Sequence, residues 1–324
     1  MTDESTIPSD LHRRVTWLIA SGAADLPLPG AGRTAARWAA LTARTRDDVV
    51  VGRLVEAHAD ADAILAQLAG RRVAEDEWWG VWAAEPPTPQ LRATRAGDAW
   101  TLTGGKVWCS GAGLCSHALV TARVGQHDSG LFAVDLGHEG ASADTTVWKG
   151  TGMARSRTGT VTFDRVPAER IGSRSDYLDR AGFWHGAIGV AACWLGGAER
   201  VADTLRSAAA ARPLDPHALA HLGAVDAALA GARWTMDGAA AETDRQPDDR
   251  GAAHLRALRV RAVVEAAAAL TIDRVGRALG PAPLCQDEIH AGTVDDLLVY
   301  LRQSHAERDL ASLGGVLAAG GHDG

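Results

Sequence analysis

The sequence has no run of lysines or arginines, and acidic residues outnumber basic ones. There are 33 Lys and Arg against 40 Asp and Glu, which gives a formal net charge of −7 and an isoelectric point near 5.9. A surface that binds nucleic acid is normally basic, because it must neutralise the phosphate backbone. We therefore expect no nucleic-acid partner.

Cysteine is also scarce. The four cysteines form no Cys-x-x-Cys pair and show no metal-ligand spacing; they are Cys109, Cys115, Cys193 and Cys285. We therefore expect no metal site, and we expect reduced thiols, as is usual in the cytosol.

Long apolar runs are absent as well. No window approaches the roughly 18 apolar residues of a membrane-spanning helix, so we expect no membrane span. The N-terminal region carries Asp3, Glu4 and Pro8 and only the short apolar run 15–20, which does not resemble a secretory signal. These features predict a cytoplasmic protein. Its 324 residues, 46 % of them hydrophobic, can form a large core and more than one domain.

The character of the sequence changes twice along the chain. Residues 31–75 are rich in Ala, Leu and Arg and show apolar residues near helical spacing. From Trp78 to about Gly172, short β-rich segments alternate with Gly, Pro and Asp, and after that the sequence is helical again. We therefore predict a multi-domain α+β protein. Its parts are a shortened N-terminal helical domain (1–77), a middle antiparallel β domain (78–172) and a C-terminal four-helix bundle (173–324).

Turn and helix-end signals predict the elements inside these domains. Four helices are expected after Gly172, at 183–211, 216–241 with Asp215 as N-cap, 254–279 and 294–313. Pro213, Gly280-Pro281 and Gly314-Gly315 are expected to end three of them, and the polar stretch 243–251 is predicted to be a loop. In the β domain, Gly97-Asp98 and Gly104-Gly105 are predicted turns.

Two segments of the β domain resemble the acyl-CoA dehydrogenase family. Residues 100–112 (WTLTGGKVWCSGA) contain Gly-x-Lys-x-Trp followed by a small residue and a serine, and residues 150–166 (GTGMARSRTGTVTFDRV) are similar to a later strand of that family. The resemblance implies FAD bound between the β domain and the C-terminal bundle, in a homo- or hetero-dimer or tetramer. It also implies an acyl-CoA or acyl-carrier thioester as substrate, with electron-transfer flavoprotein or oxygen as the electron acceptor.

The resemblance also assigns roles to individual residues. Trp108 would lie against the isoalloxazine ring, and Ser110 would hydrogen-bond near its reactive N5. Trp82 and Ala84 stand in the place of the family's Thr-Glu-Pro loop and are candidate flavin contacts, with Ala84 at the usual Thr position. Ser156 and Thr158 either line the acyl or CoA channel or cap a strand turn, and Cys109 is interpreted as a packed, unreactive thiol.

The general base is where this sequence departs from the family. Dehydrogenation needs a carboxylate that removes the α-proton, and in much of the family this is the Glu of Glu-Gly-Thr. Here Ala291-Gly-Thr293 places an alanine there, and the spacing favours a later position, at which His305 stands with Glu307 beside it. These two residues are the candidate catalytic groups, although they are also typical of a solvated helix face. Glu199, on an earlier helix, is an alternative base.

Three functions compete on this basis. The family resemblance favours an FAD-dependent enzyme that introduces an α,β double bond into an acyl thioester. A flavin-dependent monooxygenase of the same fold is the second hypothesis, with His305 near the flavin. The third is a non-catalytic partner subunit that completes the FAD site of a catalytic homologue. The missing base, the short N-terminal domain and the unrecognisable FAD-phosphate motifs (Arg-x-x-Phe-Gly and Gln-x-x-Gly-Gly) favour this third hypothesis.

Overall fold

A computed structural model describes residues 10–85, 88 and 90–320 of the chain. These residues divide into two compact units. The first comprises the described part of Met1–Leu26, Leu54–Gly150 and Ala154–Arg180. The second comprises Pro27–Arg53, Thr151–Met153 and the described part of Ala181–Gly324. The first unit contains the β-sheet and the second contains the long C-terminal helices, whereas the three-domain division drawn from composition remains a prediction.

Three helices of the described residues precede the sheet in the sequence: α1 (Asp10–Ala20), α2 (Thr34–Asp47) and α3 (Val49–Leu68). The predicted helical character of residues 31–75 is confirmed for α2 and α3. The structure adds α1, whose buried apolar residues Leu11, Val15 and Leu18 recur at helical spacing. Within the described ranges, none of the helices has the length and apolar character needed to cross a bilayer.

Seven strands of the described chain form one sheet in the first unit. They are β1 (Trp79–Trp82), β2 (Leu91–Ala96), β3 (Ala99–Cys109), β4 (His117–Val124), β5 (Asp128–Asp135), β6 (Ala141–Asp144) and β7 (Gly159–Ser173). Strand β4 pairs with both β2 and β5, so β4, β2, β3, β7 and β5 close into a ring. This ring of strands is a small barrel, which leaves few free strand edges. The short helix α4 (Arg174–Leu178) follows β7.

The sequence predicts an antiparallel β domain, and this is wrong for part of the sheet. Most pairs are antiparallel, but β4 runs parallel to both β1 and β2. Parallel neighbours need a long connection between them, and the hairpin of β2 and β3 supplies it between β1 and β4.

The two predicted glycine turns have different outcomes. Gly97-Asp98 connects β2 to β3, as predicted. Gly104-Gly105 does not form a turn but lies inside β3, where Gly104 has φ of 118°. A Cβ atom on Gly104 would lie 2.3 Å from the carbonyl oxygen of Gln90. The absence of a side chain at Gly104 therefore allows two backbone segments of the sheet to approach closely.

Within the described residues, six α-helices follow the sheet in the second unit. They are α5 (Ala181–Ala211), α6 (Pro216–Arg245), α7 (Arg250–Leu279), α8 (Ala282–Gln286), α9 (Glu288–Tyr300) and α10 (Glu307–Ala318). The first three confirm the predicted helices, and the Asp215 carboxylate caps α6 by accepting from the backbone N–H groups of His217 and Ala218. The predicted loop 243–251 is shorter than expected. Helix α6 continues to Arg245 because Thr243 is buried and hydrogen-bonds Arg256 of α7.

The predicted fourth helix over 294–313 is wrong. Helix α9 begins earlier, at Glu288, and the helical path breaks at Ser304 before α10 resumes at Glu307. The Ser304 hydroxyl accepts from the backbone N–H of Ala306 at 3.0 Å, and Ala306 has φ of 46°. This side-chain bond competes with the helical hydrogen bonds. Helix α10 then continues through Gly314-Gly315, which were expected to end it.

Candidate functional site

A bulge near the end of β3 turns Trp108 away from the barrel interior. Lys106 pairs with Val161 and Cys109 pairs with Gly159, so β3 contains one residue more than β7 between these pairs. One extra residue reverses the alternation of inward and outward side chains. Lys106 and Cys109 are therefore both buried, whereas Trp108 is 63 % exposed. Trp108 adopts φ of 61°, an unfavourable value for tryptophan, so its surroundings hold it in this conformation.

Hydrogen bonds hold the loop after β3 in place. The backbone N–H of Ser110 donates to the carbonyl of Trp108 at 3.1 Å, and that of Gly111 donates to the carbonyl of Ser156 at 2.9 Å. The indole N–H of Trp82 donates to the Ser110 carbonyl at 3.0 Å. Gly111 has φ of 76°, and a Cβ atom there would lie 2.7 Å from Cys115 Sγ. Trp82 is buried in the barrel core and holds the backbone of Ser110 in place.

Three buried hydroxyl groups form a chain behind this loop. Ser156 Oγ lies 2.7 Å from Thr158 Oγ1, and Thr158 Oγ1 donates to Ser110 Oγ at 3.3 Å. All three side chains are buried. Because Ser110 accepts from Thr158, its own hydroxyl hydrogen can be donated to a group outside the chain. The structure thus brings together Ser110, predicted to bind cofactor, with Ser156 and Thr158, predicted to bind substrate.

Trp148 is a neighbour of Trp108 that the sequence did not mark. The two indole rings meet edge to face, with centroids 6.3 Å apart and an interplanar angle of 89°. They form a partly exposed aromatic surface at the end of β3. The only signal for Trp148 was its place just before the second motif. Ala84 lies exposed after β1 and offers no side-chain donor.

Lys106 is a second residue whose role the sequence did not show. It is buried, and its Nζ donates to the carbonyl oxygen and to Oγ1 of Thr121, each at 2.7 Å. Burial lowers the pKa of Lys106 to about 8, against the opposing effect of Glu85. Burial also raises the pKa of the nearby Cys109 thiol to about 12, so this thiol stays protonated, consistent with an unreactive cysteine.

The candidate bases lie in the second unit. The His305 side chain is 56 % exposed, and its Nδ1 lies 3.2 Å from Asp309 Oδ1. Glu307 is exposed at the start of α10. Glu199 is buried in α5, where its two oxygens accept from Arg233 Nε at 2.7 Å and from Arg46 Nη1 at 3.5 Å. Both carboxylate oxygens of Glu199 are thus engaged in ion pairs.

The described residues include no cluster of three or more His, Cys, Asp or Glu side chains that could hold a metal ion. All four cysteines are free, and three of them are buried.

The closed β-barrel of the first unit and the long helices of the second define the class: an α+β protein with the acyl-CoA dehydrogenase-like fold. Residues 83–166 match the family described as acyl-CoA dehydrogenase, middle domain. This match confirms the resemblance seen in the two motifs.

Solved structures show the same fold over nearly the whole chain. The chain is similar to KijD3 in complex with FMN and dTDP-3-amino-2,3,6-trideoxy-4-keto-3-methyl-D-glucose, with a TM-score of 0.76 and 19 % identity over 97 % of this chain and 92 % of that chain. Dibenzothiophene monooxygenase from Paenibacillus sp. has a TM-score of 0.76 and 17 % identity, covering 95 % of each chain. Identities this low establish the fold alone.

One curated protein is similar to this chain in sequence. L-evernosamine nitrososynthase of Micromonospora sp. is 31 % identical over 182 residues, which cover 50 % of this chain and 43 % of that protein. The similarity therefore spans less than half of the relative.

Proposed function

We propose that this protein is a flavin-dependent monooxygenase that oxidises an amine nitrogen of a nucleotide-linked amino sugar. The observation that carries the proposal is the pairing of the exposed Trp108 indole with the Ser110 hydroxyl at the end of β3.

The residues at the end of β3 fit a flavin. An isoalloxazine ring is flat and has hydrogen-bonding atoms at its edge, so it needs an apolar surface and a donor. The indoles of Trp108 and Trp148 offer the surface, and the Ser110 hydroxyl offers the donor. The chain from Ser156 through Thr158 orients that hydroxyl so that its hydrogen remains available. A reduced flavin held there would supply the two electrons that let one oxygen atom of O₂ enter the substrate while the other leaves as water.

Both FAD, which the resemblance implied, and FMN contain this ring, and we propose FMN. The sequence contains neither of the two FAD-phosphate motifs of the family. Two proteins of the same fold, KijD3 and the dibenzothiophene monooxygenase TdsC from Paenibacillus sp., were solved as complexes with FMN. Acid extraction of the purified protein and chromatography of the released flavin distinguish FMN from FAD.

The second unit supplies the argument against dehydrogenation. Removing the α-proton of a thioester requires a base that can accept it. Glu199 is buried, but it is bound to Arg46 and Arg233. His305 and Glu307 are exposed, and His305 contacts Asp309. Oxidation of an amine needs no such base, because the nitrogen lone pair is itself the nucleophile. For this reason we prefer monooxygenation to the dehydrogenation that the resemblance first favoured.

The similar proteins support an amine as the acceptor of oxygen. The sequence relative is a nitrososynthase, and KijD3 was solved with a nucleotide-linked 3-amino sugar. In the proposed step, the amine, one O₂ and two electrons with two protons give the hydroxylamine and water.

One preparation of the protein can distinguish monooxygenation of an amine from dehydrogenation of an acyl thioester. Reduced flavin from an NADH-dependent reductase is supplied with oxygen and a dTDP-linked 3-amino sugar, and the products are measured by mass spectrometry. We expect the sugar nucleotide to gain one oxygen atom, and we expect no bleaching of bound flavin by acyl-CoA thioesters without oxygen. Anaerobic bleaching by an acyl-CoA, with no oxygenated sugar, would overturn the proposal.

A pair of tryptophan variants tests the site itself. Trp108→Ala removes the proposed aromatic surface, so flavin affinity should fall roughly tenfold, as expected when a stacking contact of about 0.5–1.5 kcal/mol is lost together with its buried apolar area. Trp234→Ala is the matched control, because Trp234 is 74 % exposed on α6. Equal flavin affinity in the two variants would exclude Trp108 from the site. Light scattering of the same samples measures the dimer or tetramer that the resemblance implies.

A further inference from the structure

The helical unit contains a cavity of its own between α2, α5 and α6. Its volume is about 370 Å³, which lies within the usual range for pockets that hold small ligands. Ala35, Ala39 and Ala43 follow one another at helical spacing along the α2 wall and leave this space open. Every lining residue belongs to the second unit.

The apolar part of the lining is formed by Trp38, Leu195 and Met236, all of them buried. Trp38 is only 2 % exposed, and its indole N–H has no hydrogen-bond partner among the described residues. A buried donor without an acceptor costs free energy, and such groups in native proteins are usually satisfied by water or by a ligand. A ligand in this cavity that carries an acceptor atom would satisfy the Trp38 indole.

The charged part of the lining leaves one carboxylate without a counter-charge. Arg46 donates to the two oxygens of Asp203, each at 2.9 Å, and Arg233 donates to Glu199 at 2.7 Å. These guanidinium groups are therefore already paired within the protein. Asp237 also lines the cavity and is exposed, and its carboxylate makes no hydrogen bond or ion pair within the described part of the chain. A cationic group at this position would be attracted more strongly than an anionic one.

We propose that this cavity binds a small amphipathic amine. A flat apolar body would pack against Trp38, Leu195 and Met236, an acceptor atom would take the Trp38 indole N–H, and an ammonium group would lie at Asp237. The proposal does not depend on the flavin chemistry, because it uses none of the residues at the end of β3.

Three probes that differ in charge test the proposal. Tyramine combines an aromatic ring, a phenol oxygen and an ammonium group, 4-hydroxyphenylacetamide is neutral, and 4-hydroxyphenylacetate is negative. Each is titrated into protein labelled with ¹⁵N-tryptophan, and the Trp38 indole signal is assigned by its loss in Trp38→Phe. We expect tyramine to shift this signal at the lowest concentration, with roughly fivefold weaker binding of the neutral probe, as is typical for the loss of a partly exposed ion pair.

Two variants and one control identify the site. Asp237→Asn should remove the preference for tyramine over the neutral probe, whereas Asp226→Asn, an exposed carboxylate of the same helix outside the lining, should keep it. Ala39→Leu fills the cavity and should abolish the tyramine-induced shift in a protein whose circular dichroism is unchanged. An unshifted Trp38 signal, equal binding of all three probes, or binding that survives Ala39→Leu would each overturn the proposal.

Discussion

Replacing Lys106 by methionine removes a buried ammonium group from the barrel while keeping a side chain of similar length. Burial lowers the pKa of Lys106 from 10.5 to about 8. Between these two values the unfolded chain holds a proton that the folded chain has released. Since the unfolded state binds more protons in this window, the free energy of unfolding must rise with pH from about 8 upward.

The size of the effect follows from the shift in pKa. The difference of about 2.5 (10.5 − 8) corresponds to about 3 kcal/mol over the full window, at 1.36 kcal/mol for each pKa unit. Only part of this stabilisation is gained at moderate pH. Between pH 7 and pH 9 the linkage relation gives a gain of about 1.4 kcal/mol.

Urea unfolding at pH 7, 8 and 9 measures this gain in the wild-type protein and in Lys106→Met. The difference between the two free energies of unfolding should move by about 1.4 kcal/mol in favour of the wild type as pH rises from 7 to 9. Titrating groups that both chains share contribute equally and largely cancel from the difference. Lys149→Met is the control, because Lys149 is the other lysine of the sequence and is exposed. A Lys106→Met difference that stays flat with pH would refute the account of this buried lysine.

Three further substitutions test other parts of the structure. Ser110→Ala removes the proposed donor to the flavin edge, so the flavin should still bind but with a changed reduction potential; an unchanged potential would exclude this contact. Asp215→Ala removes the N-cap of α6 and should lower the free energy of unfolding by about 1 kcal/mol in urea titrations, whereas no loss would mean that the cap is not formed. Arg233→Ala leaves the buried Glu199 with the longer Arg46 contact alone, and should destabilise the protein by about 1–2 kcal/mol, discounted because Arg233 is partly exposed; a neutral effect would argue against this ion pair.

Helix ends with strong local signals could be predicted from the sequence. Asp215 caps α6, and Gly280, with φ of 68°, ends α7, because short-range backbone chemistry decides both positions. The break at Ser304 could not be predicted in this way. It depends on a side-chain bond to Ala306 and on Asp309, which also lies 3.9 Å from Arg261 of α7.

The candidate site shows the same division between local and long-range causes. The motif around Trp108 and Ser110 was visible in the sequence, and so was its family resemblance. The exposure of Trp108 was not, because it depends on a bulge in the pairing of β3 with β7. Thr158 reaches Ser110 from 48 residues away in sequence, so the hydroxyl chain also required the sheet register. Lys106 was hidden for the same reason, since its burial follows from the barrel closure.

The central claim is that a flavin bound at Trp108 and Ser110 supports transfer of oxygen to an amine. The most direct test is a single turnover of the flavin-loaded, chemically reduced protein with ¹⁸O₂ and a dTDP-linked 3-amino sugar, analysed by mass spectrometry. The account predicts one ¹⁸O atom on the sugar nitrogen, and loss of this product in Trp108→Ala but not in Trp234→Ala. Hydrogen peroxide as the sole product, together with flavin reduction by an acyl-CoA thioester, would contradict it.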